Sequence, residues 1–149
     1  MRNMTASIAA ILARDLDKLV QELTLFEKEE ALWRTEGQIT NPAGNLCLHL
    51  VGNLNTYIGG ILGASGYVRD REAEFSLKNI PKEELLAQVR QTKATVTHTL
   101  DMLSDEALQQ PYPQQVLGHE MTVGFFLVHL TGHLSYHLGQ INYLRRLLP

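Results

Sequence analysis

The chain of 149 residues is predicted to form a single all-α domain over residues 1–149, a four-helix bundle with a long crossover between its second and third helices. Three observations carry this prediction. Four long segments repeat apolar residues every three or four positions, as amphipathic helices do. Prolines and glycines separate these segments. The sequence shows no alternating apolar pattern long enough to build a sheet.

The first helix is expected to run from about Thr5 to Trp33. Its apolar residues are spaced four, four, three, four and three apart, which predicts one buried stripe. A bend or frayed turn is expected through Glu27 to Glu30, where the charged residues interrupt the pattern. The stripe consists of Ile8, Leu12, Leu16, Leu19, Leu23 and Phe26.

The second helix has a predicted start at the N-cap Asn41, with Pro42 in the first helical position. It is expected to continue to about Leu62, and Gly63 and Gly66 provide a stop. Apolar residues widen its stripe on both sides, so this helix is predicted to be well buried. The main stripe consists of Leu46, Leu50, Leu54, Ile58 and Ile61.

The third helix is predicted from Pro81 to about Leu103, and a cap at Ser104 opens one short turn. The fourth is predicted from the N-cap Thr122 to about Leu148. The connectors 63–80 and 104–121 are long. Since a helix of about 21 residues is roughly 32 Å long and eighteen extended residues reach about 60 Å, the first connector can return along the bundle and make helices two and three parallel.

The composition excludes several classes of protein. A 44% hydrophobic and 19% charged chain is globular, and a net charge of −3 argues against a broad basic surface for nucleic acid. The single cysteine, Cys47, allows neither an internal disulfide nor a CxxC zinc site, and is predicted to be a buried structural thiol. No apolar run reaches the length of about 20 residues that a membrane span needs. We therefore expect a cytoplasmic protein that binds neither nucleic acid nor membrane.

Three histidines at successive spacings of four, His129, His133 and His137, indicate a metal site on the fourth helix. Neighbours at this spacing share a helix face and can bind one ion. Each step of four drifts by about 40°, so one ion is better held by two adjacent histidines and a residue from another helix. His49 is the candidate, although a neutral core imidazole with a hydrogen bond remains the alternative. If helices two and four are antiparallel, His49 meets His133 and His137 rather than His129.

Segments 45–53 and 133–141 resemble the DinB/YfiT-like superfamily in carrying one early histidine and a late HxxxH followed by Gly-Gln. The run 68–75 resembles a subgroup of that family, and the likeness extends over essentially the whole chain. The resemblance implies an up-down-down-up four-helix bundle, often dimeric, so a homodimer is expected. It also implies a divalent metal held by His49, His133 and His137. Zinc or nickel is the expected ion, with iron or manganese as alternatives.

The function that this resemblance implies is a metal-dependent enzyme, either an S-transferase using a low-molecular-weight thiol or a hydrolase. Three histidines leave an open coordination position that can activate a thiol or water. Leu134 stands where HExxH peptidases have glutamate, which argues against a peptidase. The alternatives are a non-catalytic metal-containing protein that senses stress or binds a ligand, and a structural dimer whose histidines only pack.

Several further residues have more than one interpretation. His129 is a packing residue or part of a pocket. Gln140 and Asn53 either contact a metal-bound ligand or make ordinary buried polar pairs. The run Arg69–Glu74 is a lid that binds an acidic substrate, a solvated loop, or a salt-bridged brace. The remaining two histidines are expected at the surface: His98 and His119.

Overall fold

The computed structural model describes residues 3–149, and within this range the protein is all-helical, with no β-strand. This confirms the predicted all-α class. Five α-helices are present where four were predicted, because a short helix forms inside the first long connector. The helices are α1 (Met4–Leu25), α2 (Ala43–Leu54), α3 (Arg71–Ser76), α4 (Lys82–Asp101) and α5 (Val123–Leu147).

The predicted stripe of α1 is confirmed, because all six of its apolar residues lie in the core. The α-helix ends at Leu25, earlier than predicted, and Phe26 adopts an extended conformation. A 3-10 helix follows over Glu29–Trp33, where the sequence predicted a bend. The indole of Trp33 lies against Gly44 at the start of α2, and a Cβ at Gly44 would come within 2.7 Å of this ring. Glycine at this position therefore lets the 3-10 segment pack closely on α2.

Helix α2 lies in the middle of the protein, and all twelve of its residues are buried. Its start differs from the prediction by one residue. Pro42, not Asn41, is the N-cap residue. Its ψ of 160° places its backbone in the extended region, and the helix begins at the next residue, Ala43. The carbonyl of Pro42 accepts the first helical bond, from the amide of Leu46 at 3.0 Å. Around it, α2 contacts α3, α4 and α5.

The second half of the predicted helix is not α-helical, and this corrects the prediction that it runs to Leu62. A wider π-helical turn spans Asn55–Gly60, and the amide of Ile61 donates to the carbonyl of Thr56 at 3.0 Å. The side-chain amide of Asn55 donates to the carbonyl of Val51 at 2.8 Å, and thus competes for an acceptor of the α-helical ladder. Turns of this kind are frequent at functional sites.

Helix α5 begins as predicted, with the side chain of Thr122 accepting a hydrogen bond from the amide of Phe125 at 3.0 Å. It runs antiparallel to α2. Leu46 near the start of α2 lines the same cavity as Leu144 near the end of α5. At the opposite end of this helix pair, the ring of Tyr57 lies 5.2 Å from that of Phe126.

The connectors are ordered. In the first, the side chain of Asp70 caps α3 by accepting from the amide of Ala73 at 3.0 Å. In the second, a 3-10 helix covers Glu106–Gln109, and an isolated bridge joins Pro111 to Thr122. In the part of the chain that the structure describes, every helix is too short or too polar to cross a membrane.

Candidate metal centre

Three histidines meet between α2 and α5: His49, His133 and His137. One ring nitrogen from each lies within 4.8 Å of the others, so the group could hold a metal ion. The Nε2 atoms of His49 and His133 are 3.1 Å apart. The ring of His137 lies 4.6 Å from that of His133 and 5.3 Å from that of His49. The structure thus brings together the three histidines that the sequence selected.

In two of these imidazoles, the Nδ1 atom lies within hydrogen-bond distance of an oxygen acceptor. The Nδ1 of His49 lies 3.0 Å from a carboxylate oxygen of Glu74, and the Nδ1 of His137 lies 2.7 Å from the side-chain oxygen of Gln140. Because both partners are oxygen acceptors, each Nδ1 carries a proton, and in the neutral form of each ring the lone pair is then on Nε2. Metal-binding histidines are held in this way by carboxylates and carbonyl oxygens.

The distances fit a divalent ion. Two nitrogens that each bind a tetrahedral ion at about 2.0–2.1 Å lie roughly 3.3 Å apart, close to the observed 3.1 Å between the Nε2 atoms of His49 and His133. The ring of His133 is held less firmly than those of His49 and His137, since its Nδ1 is buried and has no hydrogen-bond partner. Three neutral imidazoles form a donor set that suits zinc, nickel, iron and copper.

The electrostatics keep the α5 histidines neutral. Burial lowers the pKa of His133 to about 4, and the neighbouring imidazoles of His137 and His49 add to this effect. Burial also lowers the pKa of His137, although its hydrogen bond to Gln140 acts in the opposite direction. Both rings are therefore uncharged at neutral pH, which is the form that binds a metal.

Glu74 is the centre of a buried ionic network behind His49. Arg69 donates from Nε to Oε2 of Glu74 at 2.8 Å and from Nη2 to Oε1 at 3.0 Å. A longer bond of 3.4 Å joins Arg69 to the hydroxyl of Tyr57. Burial opposes the ionisation of Glu74, but the hydrogen bonds from His49 and Arg69 outweigh it and lower the pKa of this carboxyl. Of the three interpretations of segment 69–74, the salt-bridged brace is the one observed.

Gly52 makes room for this network. A Cβ built at Gly52 would lie 1.9 Å from Oε2 of Glu74. Glycine costs helix stability relative to alanine, by about 1 kcal/mol in an interior position. Here it lets the carboxylate of Glu74 approach the face of α2 that carries His49, three residues earlier.

We expect Gly52→Ala to weaken metal binding by roughly 10–100-fold, the range found when the partner of a metal-binding histidine is lost. The new methyl group displaces the carboxylate, so His49 loses its acceptor. The affinity is measured by competition with a chelator of known strength. Gly132→Ala is the matched control, since a Cβ there meets nothing within 4 Å. Equal affinities for the two variants would contradict the role of Gly52.

The other predicted residues lie around the centre or away from it. His129 is exposed and stacks on Phe126 at 5.8 Å, outside the group of three. Asn53 is buried, and its side-chain oxygen has no partner. Cys47 is buried as predicted, and burial raises the pKa of its thiol to about 12. The remaining histidines, His98 and His119, are exposed as predicted.

Sequence reasoning missed the contact between Glu74 and His49, and it did not identify Glu74 as the neighbour for which Gly52 makes room. The charged run around Glu74 was noticed, but 25 residues separate it from His49 and no helical spacing relates the two. Gly52 gives a weak signal, as a costly glycine inside an otherwise apolar helix.

Comparison with known proteins gives a family and a fold. The family model described as the DinB superfamily matches residues 11–141. A conserved protein from Enterococcus faecalis is similar in structure, with a TM-score of 0.79, 16% identity, and coverage of 99% of this chain and 98% of that chain. A DinB-like protein from Bacillus cereus has a TM-score of 0.70 and 16% identity, with coverage of 89% and 84%. No curated protein matches the chain.

Proposed function

This chain belongs to the DinB superfamily, and from that premise we propose that it is a metal-dependent enzyme whose divalent ion is held by His49, His133 and His137. The observation that carries the proposal is the convergence of three imidazoles, two of which have their Nδ1 protons fixed by an acceptor. Zinc or nickel is the proposed ion, with iron or manganese as alternatives. The proposed reaction is S-transfer from a low-molecular-weight thiol, or hydrolysis.

A bound divalent ion with an open position supplies Lewis acidity, which lowers the pKa of a thiol or water held there. The residues of the chain prepare the site for it. Glu74 and Gln140 hold the Nδ1 protons of His49 and His137, so that both Nε2 atoms stay available as ligands. Arg69 keeps Glu74 ionised by two hydrogen bonds.

A non-catalytic ligand-binding protein is the second candidate, and one observation favours it. Among residues 3–149, Glu74 is the only carboxylate that is hydrogen-bonded to one of the three imidazoles, and it is occupied by Arg69. Leu134 takes the position from which HExxH peptidases recruit their general base. The hydrogen bonds of the described residues therefore assign no free carboxylate to the role of general base at this centre.

A turnover screen distinguishes the two candidates. Metal-loaded protein is mixed with low-molecular-weight thiols and a panel of electrophiles, and separately with esters and amides. We expect conjugation or hydrolysis above the rate of the same protein after chelation. Loss of turnover on chelation, with recovery when the ion is returned, supports the enzyme. Uniform inactivity of a protein that retains its ion would favour the binding protein.

We also propose the up-down-down-up order for α1, α2, α4 and α5. The hydrogen bond between Asn55 and Thr92 and the close approach of Gly59 to Thr95 support parallel α2 and α4. The first turn of α1 bonds to Asp105, just beyond α4, which supports opposite directions for α1 and α4. The homodimer implied by the resemblance is likewise a proposal, to be tested by the mass of the protein in solution.

A further inference from the structure

A cavity of about 710 Å³ lies beside the candidate metal centre, between the second half of α5 and segment 38–41. His137 and Gln140 line it, so the cavity shares a wall with the three histidines. Its volume falls within the range of about 300–1,000 Å³ that is typical of small-molecule sites. Neither the fold nor the three-histidine group requires a cavity on this side of His137.

The walls of the cavity are mostly apolar. Ile39, Leu46 and Leu144 line it, together with the rings of Tyr136 and Tyr143. Both tyrosines are 66% exposed, so the protein leaves a large part of each side chain uncovered, although the guanidinium of Arg146 lies over the ring of Tyr143, 5.3 Å from its centre. Aromatic rings of this kind bind apolar and aromatic groups, while their hydroxyls stay in water.

The polar groups of the cavity are neutral. Gln38, Thr40 and Asn41 line it together with Gln140, and residues of these types can form hydrogen bonds without carrying a charge. Among the described residues that line the cavity, there is no lysine, arginine, aspartate or glutamate. In the metal-free protein, a charged ligand would lose hydration here without gaining an opposite charge from a lining side chain. An uncharged molecule with one or two hydrogen-bonding groups loses much less.

We propose that this cavity binds an uncharged, largely aromatic or apolar small molecule, and that this molecule is the substrate that reacts at the neighbouring metal centre. Binding in the cavity is a property of the chain alone. Only the assignment of the bound molecule as substrate rests on the proposed function.

Two glycines of α5 provide a matched test. Gly139 lines the cavity, and a Cβ there meets nothing within 4 Å, so a larger side chain can enter the cavity without disturbing the backbone. Gly132 lies seven residues earlier on the same face of α5 and is equally open, but it does not line the cavity. Gly139→Phe places a ring at the wall of the cavity, and Gly132→Phe is its control.

The probe is N-phenyl-1-naphthylamine, an uncharged aromatic dye, compared with its sulfonated analogue 8-anilinonaphthalene-1-sulfonate. We expect the uncharged dye to bind the wild-type protein and the Gly132→Phe variant with equal affinity, and Gly139→Phe to bind it at least about tenfold more weakly, because the new ring occupies the volume that the dye needs. The sulfonated dye should bind the metal-free protein more weakly than the uncharged one. Circular dichroism checks the fold of each variant.

Tyr136→Ala is the second variant, because an exposed side chain can be shortened without loss of the core. This variant should also bind the uncharged dye more weakly than the wild-type protein does. Unchanged binding in Gly139→Phe and Tyr136→Ala would overturn the site, and stronger binding of the sulfonate would overturn the ligand class. A dimeric protein that binds no dye, but becomes monomeric in Gly139→Phe and stays dimeric in Gly132→Phe, would show a second copy in the cavity and also overturn the proposal.

All dye measurements are made on metal-free and metal-loaded protein. A protein that binds the dye but no metal would contradict the proposed function and leave the cavity site standing. A protein that binds metal but no dye would contradict the cavity site and leave the proposed function standing.

Discussion

Replacing His133 by alanine is expected to remove the divalent ion, with a loss of more than about 100-fold in affinity. His133 supplies the Nε2 that lies 3.1 Å from the Nε2 of His49, so its loss leaves two ligands on opposite helices. The measurement is metal content per chain, in protein purified without a chelator or an affinity tag. Wild-type protein should carry close to one ion per chain.

The control for this variant is His129→Ala, one helical turn earlier on α5. His129 is exposed and outside the group of three, so this variant should retain the ion. Without metal, His133→Ala should be about as stable as wild type, since the mutation also removes a buried Nδ1 that has no partner. Equal metal content in the two alanine variants would contradict the site. Collapse of the His133→Ala fold would instead indicate a structural ion.

Replacing Glu74 by alanine is expected to lower the free energy of unfolding by about 3–5 kcal/mol, the range for breaking a buried ion pair from one side. The variant leaves the guanidinium of Arg69, whose side chain is only 13% exposed, without its carboxylate. It also leaves the Nδ1 of His49 without an acceptor. Urea denaturation of the metal-free protein gives the value, provided that the slope of the transition is unchanged.

Asp17→Ala provides the comparison, because it breaks the pair between Asp17 and Lys93 on the exposed surface between α1 and α4. Such a pair contributes about 0–1 kcal/mol. The double variant Glu74→Ala with Arg69→Met should recover part of the loss, since it removes the stranded charge. A Glu74→Ala protein as stable as Asp17→Ala would show that the network does not support the fold.

Local periodicity predicted the buried faces well. The stripe from Ile8 to Phe26 is buried along its whole length, because a spacing of three and four fixes one helix face whatever lies opposite. The end of α2 was missed for the opposite reason. Ile58 continues the apolar stripe and is buried, yet the backbone around it has widened into a π-helical turn. That change depends on side-chain bonds made by Asn55 and Thr56, which an apolar pattern does not record.

The residues of the candidate site also fall into those that the sequence predicts and those that it does not. His133 and His137 follow from their spacing, and His49 from the need for a ligand on another helix. The role of Glu74 could not be predicted, because it depends on how the connector between α2 and α4 folds back and forms α3. Gln140 was predicted either to contact a metal-bound ligand or to make an ordinary polar pair, and the structure shows a polar pair, in which its oxygen accepts from His137.

The three imidazoles belong to segments that are 84 residues apart in the chain, at His49 and His133. An ion shared between them is retained only while α2 and α5 are docked, and by mass action it disfavours every partly opened form in which they separate. Amide hydrogens in these two helices would then exchange more slowly as the ion becomes available. Resistance to proteases would also rise with the concentration of the ion, so the supply of metal would set the lifetime of the protein against proteolysis.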